Sequence, residues 1–475
     1  MAGSRGAERI LNSDKTQFDK EQTDLVKFML NERFFKPWSL HQTFEIDDNL
    51  FDYSLIGESA LEIYLTAKCN QKCEYCYLHR FPGLYPAEFD KQELVLHNLQ
   101  LLFDYIIEND LYIPSIEYFT GEIWHAEYGL KVLEMTLQAV KNGLRTDSFT
   151  IPSNCSFVAD EIQLGKIQRY IDALSRQGVR LVFSISVDGA PVEDFARPLN
   201  NGWIKTEEFY DRLFLFAQHN TYYFHPMVAA CDIEKWIENF QWWEKKCIEY
   251  DMDPDVCIMM LEVRNNDWTS EKIESYCNLL DYFIDRQWKK NGCNIERFCK
   301  ELFNYQGGGL HGYVPYAPAR SDTFPGCTIA NSLTVRAGDL AICPCHRTAY
   351  NKFLYGRFVV ENDKICDIEG YNPQMAMRVL MSNFNLTNFG CDTCIYSKYC
   401  LKGCLGSQYE TTGDPFMPME CVCKFFKAKF KFLANKYQEL GVYDWVRENV
   451  RPEEEWYLRI QEWLQFAEEV MKDGE

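Results

Sequence analysis

Three cysteines lie close together near the front of the chain, in the segment LTAKCNQKCEYCYL. They are Cys69, Cys73 and Cys76, called the front trio below, and their spacing is C-x3-C-x2-C. Closely spaced thiolates can converge on a soft metal, and iron–sulfur clusters are held by such ligands. Three ligands leave one iron of a four-iron cluster open to another molecule, as in catalytic metal sites. The trio therefore predicts a catalytic cluster, and a structural zinc site, which needs a fourth ligand, is the alternative.

A second group of cysteines lies in the last third of the chain. Its members, called the rear cysteines below, are Cys327, Cys343, Cys391, Cys394, Cys400, Cys404 and a last one at Cys421 or Cys423. Because the two groups are far apart in sequence and differently spaced, they imply more than one cluster. Two structural zinc sites are the alternative for the rear group. The two groups together predict a redox enzyme.

Composition restricts the partners and the compartment. A chain of 475 residues, 47% of them hydrophobic, can bury a large core and form two or more domains. The formal net charge of −21 argues against a nucleic-acid partner, which needs a basic surface. We expect neither secretion nor a membrane span, since there is no apolar signal region and no stretch of ~18 apolar residues. The 20 cysteines are then expected to be reduced thiols and metal ligands in the cytoplasm.

The elements that must position the front trio form an alternating pattern of strands and helices. A strand-like run over 61–66 leads directly into the trio, and about six β–α units follow. Further strands are predicted at 115–119, 148–152, 180–187, 222–229 and 256–263, and helices at 91–109, 129–142, 159–177, 206–219, 233–250 and 270–289. Such a succession predicts an α/β fold, with a parallel sheet curled into a partial or full barrel. In such folds the chemistry lies at the carboxyl ends of the strands, where the trio is.

The alternation ends after residue 291. The segment 306–312 is glycine-rich and predicts a loop, the region 320–423 is rich in cysteine with little periodicity, and the chain from 424 onward is mainly helical in pattern. We therefore predict four regions. They are an N-terminal segment at 1–58, a barrel at 59–300, a cysteine-rich domain at 301–430 and a C-terminal helical segment at 431–475.

The front trio, with Tyr75 and Tyr77, resembles the signature of the radical S-adenosylmethionine (SAM) enzymes. The resemblance implies a cluster whose unique iron chelates the amino and carboxylate groups of SAM. One-electron reduction by a partner such as flavodoxin or ferredoxin would then yield a 5′-deoxyadenosyl radical. The predicted fold thereby becomes a partial (β/α)6 radical SAM barrel.

Other segments extend this resemblance in the family's order. The segment FTGEI, over 119–123, resembles the family's glycine-glycine-glutamate motif, although a threonine replaces the first glycine and an isoleucine the usual proline. The segment SVDG, over 186–189, resembles one found in the peptide-modifying branch. The cofactor-binding residues that the resemblance implies are Glu122, Asn154, Ser186, Arg197 and Tyr75.

Three further residues stand at the end of the sixth predicted strand. Glu262, Arg264 and Asn265 are candidates for contact with SAM or with the substrate, because strand ends face the active site in barrels. A cluster of surface charges is the alternative.

The rear cysteines resemble the SPASM extension of the same superfamily, which binds two auxiliary clusters. The resemblance implies one cluster on Cys327, Cys343 and Cys404. It implies a second on Cys391, Cys394, Cys400 and the last cysteine, for which Cys423 is favoured over Cys421. With the front trio, this predicts three 4Fe–4S clusters.

The first auxiliary cluster lacks a usual ligand. The family has a cysteine about six residues before Cys327, and this chain has Ser321 there. Either Cys345 replaces it, or one iron stays open for a substrate thiolate. His346 is a further possible ligand, although hydrogen bonding is the commoner role of a lone histidine.

The resemblance implies an oxidoreductase that matures a ribosomally made precursor peptide. The radical would abstract hydrogen from the peptide, and a thioether or another side-chain crosslink would form. One alternative is an anaerobic sulfatase-maturating enzyme, which makes formylglycine. Another is a non-catalytic electron carrier or zinc scaffold. The segment 1–58 is too short for a complete leader-binding winged-helix module.

Overall fold

The computed structural model describes most of the chain from residue 60 onward. The described residues are 60–81, 91–119, 121–125, 128–192, 197, 206–265, 267–304, 316, 332–372, 375, 379, 391, 393–400, 403–451 and 457–472. The N-terminal segment predicted at 1–58 lies outside them, as do Cys327 and Ser321.

A mixed sheet forms the centre of the fold. In chain order the described strands are β1 (Ala60–Tyr64), β2 (Ser115–Phe119), β3 (Ser148–Ser153), β4 (Arg180–Ile185), β5 (Thr221–Phe224), β6 (Met227–Val228), β7 (Leu261–Glu262), β8 (Ser332–Arg336), β9 (Ala341–Cys343), β10 (Gly356–Glu361) and β11 (Lys364–Glu369). The larger sheet has the order β11-β10-β9-β8-β1-β2-β3-β4-β5, and β6 pairs with β7 in a separate parallel pair. The neighbouring pairs from β8 through β1, β2 and β3 to β4 are parallel. At the other side of β8, each strand from β8 to β11 is antiparallel to the next.

Helices alternate with the parallel strands. The described helices are α1 (Tyr77–Arg80), α2 (Gln92–Glu108), α3 (Gly129–Lys141), α4 (Glu161–Ser175), α5 (Glu207–Gln218), α6 (Trp236–Glu249), α7 (Pro254–Cys257), α8 (Ser270–Lys290), α9 (Ile295–Asn304), α10 (Leu405–Thr412), α11 (Glu420–Glu439), α12 (Val442–Asn449) and α13 (Tyr457–Lys472). Several begin at a side-chain cap. Asp160 accepts two backbone N–H groups at the start of α4, and Thr206 and Thr269 each accept one before α5 and α8.

The strands β1 to β4 have an apolar face and a polar face. The apolar face is fully buried, through residues such as Ile63, Tyr118 and Phe183. The other face carries Glu62 on β1 and Glu117 on β2, which are directly paired in register. Since residues paired across a sheet point to the same side, two carboxyl groups lie next to each other on the polar face.

The chain divides into two compact units. The first contains the described residues within Met1–Ser186, Pro198–Tyr223 and Cys327–Thr387, and therefore the larger sheet with α1 to α5. The second contains those within Val187–Arg197, Phe224–Gly326 and Asn388–Glu475, with α6 to α13 and the β6–β7 pair. Each unit has its own buried aromatic residues, such as Tyr118 in the first and Trp243 in the second.

The predicted α/β fold with a parallel sheet is confirmed, and the first four strands lie within a few residues of their predicted bounds. The strand predicted at 222–229 is two strands, because Pro226 has no N–H to donate to a neighbour. The strand predicted at 256–263 was too long, because residues 256–257 belong to helix α7 and β7 covers only Leu261–Glu262. Asp253 caps that helix, and Pro254 occupies its first turn.

The region from 295 to 372 contains more regular structure than the sequence pattern predicted. Helix α9 and strands β8 to β11 were missed there. The mainly helical prediction for the C-terminal residues is confirmed by α11, α12 and α13. None of the helices in the described part of the chain is long and apolar enough to cross a membrane.

Candidate functional site

The front trio lies on the loop between β1 and α1, at the carboxyl end of the first strand. All three cysteines are partly exposed, as is Tyr75 on the same loop. The Gln71 N–H donates to Cys69 Sγ over 3.4 Å. The Cys76 N–H donates to the carbonyl of Cys73 over 3.0 Å. The loop thus holds accessible thiols in a short, internally bonded segment.

The segment that follows β2 packs directly on this loop. The Glu122 N–H donates to the carbonyl of Lys68, the residue before the first cysteine, over 2.8 Å. Gly121 has φ +65°, and a Cβ there would overlap the Lys68 carbonyl oxygen and lie 3.0 Å from that of Thr66. Because glycine alone adopts this conformation freely and has no side chain, it allows the two loops to meet.

Glu122 places a buried carboxyl group beside the loop. Its side chain accepts hydrogen bonds from the Ser153 hydroxyl (2.9 Å) and from the Asn154 N–H (2.7 Å). Burial raises the pKa of Glu122 to about 7, although these hydrogen bonds oppose the rise. A ligand that donates hydrogen bonds or carries positive charge would therefore be favoured, since it stabilises the ionised carboxylate.

Asn154 connects this carboxyl group to the front trio. Its side-chain amide donates to Asn70 Oδ1 over 2.7 Å, and Asn70 follows the first cysteine of the trio. The Ser186 N–H donates to the carbonyl of Ser153 over 2.7 Å. Three predicted cofactor contacts, Glu122, Asn154 and Ser186, are therefore adjacent to one another in the first unit.

Arg197 lies in the second unit and forms a buried ion pair there. Its Nε is 2.7 Å from Asp188 Oδ2, and both side chains are almost fully buried. Asp188 Oδ1 also accepts the Met227 N–H over 2.7 Å. The pair fixes the guanidinium group, and the expected contact between Arg197 and SAM stays a prediction.

A short 3₁₀ helix that begins at His346 packs against β1, β2 and α1. The His346 N–H donates to Glu62 Oε2 over 2.6 Å, and its Nδ1 lies 3.2 Å from the same oxygen. The imidazole ring stacks on Phe119, with 3.9 Å between ring centres. The guanidinium carbon of Arg347 lies 4.0 Å from the centre of the Tyr77 ring. These contacts support a hydrogen-bonding role for His346.

Cys343 and Cys345 differ in their surroundings. Cys343 ends β9 and is fully buried, and burial raises the pKa of its thiol to about 12. Cys345 Sγ accepts the Thr348 N–H at the start of the 3₁₀ helix and lies 3.4 Å from the Thr348 hydroxyl. Cys345 is therefore held by local hydrogen bonds, as Cys69 is by the Gln71 N–H, and its role as a fourth ligand stays open.

The rear cysteines of the second unit lie at the starts of short elements. Cys394 precedes a 3₁₀ helix, Cys404 precedes α10, and Cys391 and Cys400 flank the same 3₁₀ segment. The Cys394 N–H donates to the carbonyl of Cys391 over 3.3 Å. All four are partly exposed. Sulfur atoms at such positions remain available to a ligand.

The two candidates for the last ligand point in different directions. Burial and the neighbouring Cys394 raise the pKa of Cys423, which places these two thiols within electrostatic reach. Cys421 instead lies 3.4 Å from the Asn265 carbonyl oxygen. Residues two apart on a helix lie on nearly opposite faces. The geometry therefore favours Cys423 as the partner of Cys394.

Glu262 and Arg264 anchor helix α11, which carries both cysteines. Glu262 is almost fully buried and accepts hydrogen bonds from Tyr276 and from Lys429 Nζ, the latter over 2.6 Å. The Arg264 guanidinium lies 5.8 Å from the centre of the Phe426 ring. The charge of Glu262 is thus compensated inside the second unit, and the alternative of a surface charge cluster was wrong for this residue.

The donor groups fit the clusters that the sequence predicts. Among the described residues, no group of three or more His, Cys, Asp or Glu surrounds a single metal-sized position. Each cysteine of a cubane cluster binds a different iron, so its ligands surround a larger body than one ion. Three partly exposed thiols on one loop are the donor type that such a cluster needs, and the buried carboxyl group beside them is the type that an amino group needs.

Sequence analysis missed several members of this site. Asn70 lies between cysteines of the trio, and its contact with Asn154 joins positions 84 residues apart. Ser153 was not assigned a role, although Asn154 beside it was. A polar residue at the carboxyl end of a buried strand was the signal that could have identified it.

Comparisons with known proteins define the fold. No protein-family description matches the sequence, and no curated protein is similar to it. Among solved structures, anSMEcpe with bound AdoMet superimposes with a TM-score of 0.50 and 14% identity, over 82% of this chain and 100% of that one. This chain shares the fold of anSMEcpe. Because anSMEcpe is an anaerobic sulfatase-maturating enzyme with a radical SAM and SPASM architecture, the resemblance is confirmed at the level of the fold.

Two further solved structures are similar at lower scores. AnSMEcpe with bound AdoMet and Cp18Cys peptide has a TM-score of 0.48 and 15% identity, over 80% of this chain and 99% of that one. SuiB from Streptococcus suis, bound to precursor peptide SuiA, has a TM-score of 0.42 and 12% identity, over 88% and 86% of the two chains.

Because the segment after β2 lies so close to the loop that carries the front trio, we expect Gly121→Ala to destabilise the fold. The new methyl group would overlap the Lys68 carbonyl oxygen in a backbone conformation that alanine disfavours. We expect the free energy of unfolding to fall by about 2–4 kcal/mol in denaturant titration. Gly178→Ala is the matched control, since Gly178 also has positive φ but open space around it, and should cost only about 1 kcal/mol. Equal losses in the two variants would contradict the close approach.

Proposed function

We propose that the chain is a radical SAM enzyme that matures a peptide or protein substrate. The observation that carries the proposal is the juxtaposition of the front trio with the buried carboxyl group of Glu122. The two are held together by the Glu122–Lys68 backbone bond and by the Asn70–Asn154 side-chain bond. A site made only for electron transfer or for zinc does not need a buried carboxyl group with a raised pKa at its edge.

Cys69, Cys73 and Cys76 would hold a 4Fe–4S cluster, and Glu122 would accept hydrogen bonds from the amino group of SAM. The cluster would supply one-electron cleavage of SAM to a 5′-deoxyadenosyl radical, with an electron from flavodoxin or ferredoxin. Asn154 and Ser186 would position the rest of the cofactor. On the polar face of β1 to β4, Glu62 is buried and bonded to His346 and Thr334, so Glu117 beside it is the carboxyl group that could contact a substrate peptide.

The rear cysteines would hold two auxiliary clusters, one of them with an open iron. Cys327, Cys343 and Cys404 would be the ligands of the first auxiliary cluster, and Cys345 is the alternative fourth ligand that would close it. A substrate thiol could bind the open iron and lose its proton there. This arrangement would favour a thioether or another crosslink. Formylglycine in the product would instead indicate sulfatase maturation.

Replacing the front trio tests the proposal directly. The anaerobically prepared protein should contain about twelve irons, and the combined Cys69→Ala, Cys73→Ala and Cys76→Ala variant should lose about four of them. SAM cleavage should be abolished, while absorbance from the rear clusters remains. Zinc without iron in the native protein would refute the proposal.

The raised pKa of Glu122 predicts a pH dependence of SAM binding. Because the ligand favours the ionised carboxylate, binding must release the proton that Glu122 holds below about pH 7. Affinity should therefore rise with pH, by up to about tenfold per unit, until about pH 7. The nearby Cys155 thiol does not contribute there, since burial keeps its pKa well above its ordinary value.

Equilibrium titrations of wild type and Glu122→Gln at several pH values measure this effect. The glutamine variant should bind SAM more weakly at pH 7 and above, with unchanged iron content, because it carries no negative charge. In this variant, the affinity for SAM should also rise less steeply with pH, because the part of the rise that comes from ionisation of Glu122 is absent. Identical slopes in the two proteins would show that Glu122 does not contact the ligand.

If Cys423 and not Cys421 is the last ligand of the second auxiliary cluster, replacing each by alanine should have opposite effects on the iron content. Cys423→Ala should lose about four irons, because Cys423 is within electrostatic reach of Cys394. Cys421→Ala, the matched control on the same helix, should keep its iron, because that thiol faces the Asn265 carbonyl. Metal analysis of both purified variants decides the assignment, and the reverse pattern would exclude Cys423.

A further inference from the structure

The side chain of Arg347 contacts the residue that follows the front trio. Its guanidinium group lies over the ring of Tyr77, with 4.0 Å from the guanidinium carbon to the ring centre. Tyr77 directly follows Cys76, the last cysteine of the trio, and begins helix α1. Arg347 therefore holds a positive charge against the residue next to a proposed cluster ligand.

The position of Arg347 is fixed by its neighbours in the turn. His346 is bonded to Glu62 through its N–H and stacked on Phe119. On the other side, the Thr348 hydroxyl donates to the carbonyl of Cys345 over 3.1 Å. Since the residues before and after Arg347 are both held, the charge is kept at one place without a large cost in side-chain entropy.

The stack also explains why an arginine is suited to this position. A guanidinium group is planar, stays charged at all physiological pH values and stacks on aromatic faces. A lysine would keep the charge but lose the flat contact with Tyr77. Charge and stacking can therefore be separated by substitution.

We propose that Arg347 is a positioning residue that raises the reduction potential of the front cluster, an inference that rests on the proposed function above. Charge and hydrogen bonding around a cluster set its potential, and a nearby cation stabilises the more negative, reduced form. One electron enters the cluster from an external one-electron reductant. No bond or proton on Arg347 changes in this step.

Redox titration of the complete protein, monitored by electron paramagnetic resonance, tests this inference with dithionite as the reductant. The front cluster is recognised as the signal that changes when SAM is added. In Arg347→Gln, iron content should be unchanged. The ratio of reduced to oxidised front cluster at a fixed potential should fall on the order of tenfold, which is a shift of 59 mV to lower potential.

Two further variants separate charge from packing. Arg347→Lys keeps the charge and should retain most of the wild-type potential. Arg145→Gln removes another arginine stacked on a tyrosine, Tyr112, and should change nothing. Those two residues pair just before β2 and β3 begin, whereas the trio lies at the opposite, carboxyl ends of the strands.

Each other outcome overturns the inference. An unchanged potential in Arg347→Gln would exclude an effect of the charge, and equal shifts in the lysine and glutamine variants would assign the effect to packing. Loss of the front cluster in Arg347→Gln alone would make the residue an assembly factor. The proposed function is tested by a different result. It would be refuted if the variant with alanine at Cys69, Cys73 and Cys76 kept its full iron content.

Discussion

The contact between the Glu122 N–H and the Lys68 carbonyl is the constraint on which the rest of the site depends. It closes the loops at the carboxyl ends of β1 and β2 on each other, and the φ of Gly121 is what allows it. Without it, the carboxyl group of Glu122 would have no fixed position relative to the thiols. The second bond, from Asn154 to Asn70, extends the constraint to the end of β3. Three consecutive strand ends are thereby joined at one place.

In the first unit, the polar face of the larger sheet carries two adjacent carboxyl groups, those of Glu62 and Glu117. Burial alone would raise the pKa of Glu62, but His346 and Thr334 hold it below its ordinary value. Burial and the Glu62 charge raise the pKa of the adjacent Glu117 to about 7. Two neighbouring carboxyl groups with such different proton affinities are typical of functional surfaces rather than of a packed core. The turn at His346 therefore serves two purposes, since it compensates Glu62 and holds Arg347.

The sequence predicted those parts of the molecule that depend on local patterns. Strands β1 to β4 were found because each is a short apolar run between turns, and the trio was found because its spacing is local. The contacts of Arg347 with Tyr77 and of His346 with Glu62 were not predictable, because they depend on how distant segments pair. Strands β8 to β11 were missed because they are short and lie among cysteines, which hides their alternation. The same limit applies to Cys421 and Cys423, whose directions follow only from the helix that carries them.

The position of β8 beside β1 has a consequence for how the chain is made. Glu62 and Thr334 touch although they are 272 residues apart in sequence. On the ribosome, β1 can pair with β2 early, but its other edge must wait until β8 has been synthesised. Such non-local pairing slows folding, and an unpaired strand edge invites association with other chains. The interval in which this edge is open coincides with the interval in which the thiols at the end of β1 are also unprotected. Synthesis rate and chaperone supply should therefore affect the yield of correctly folded protein.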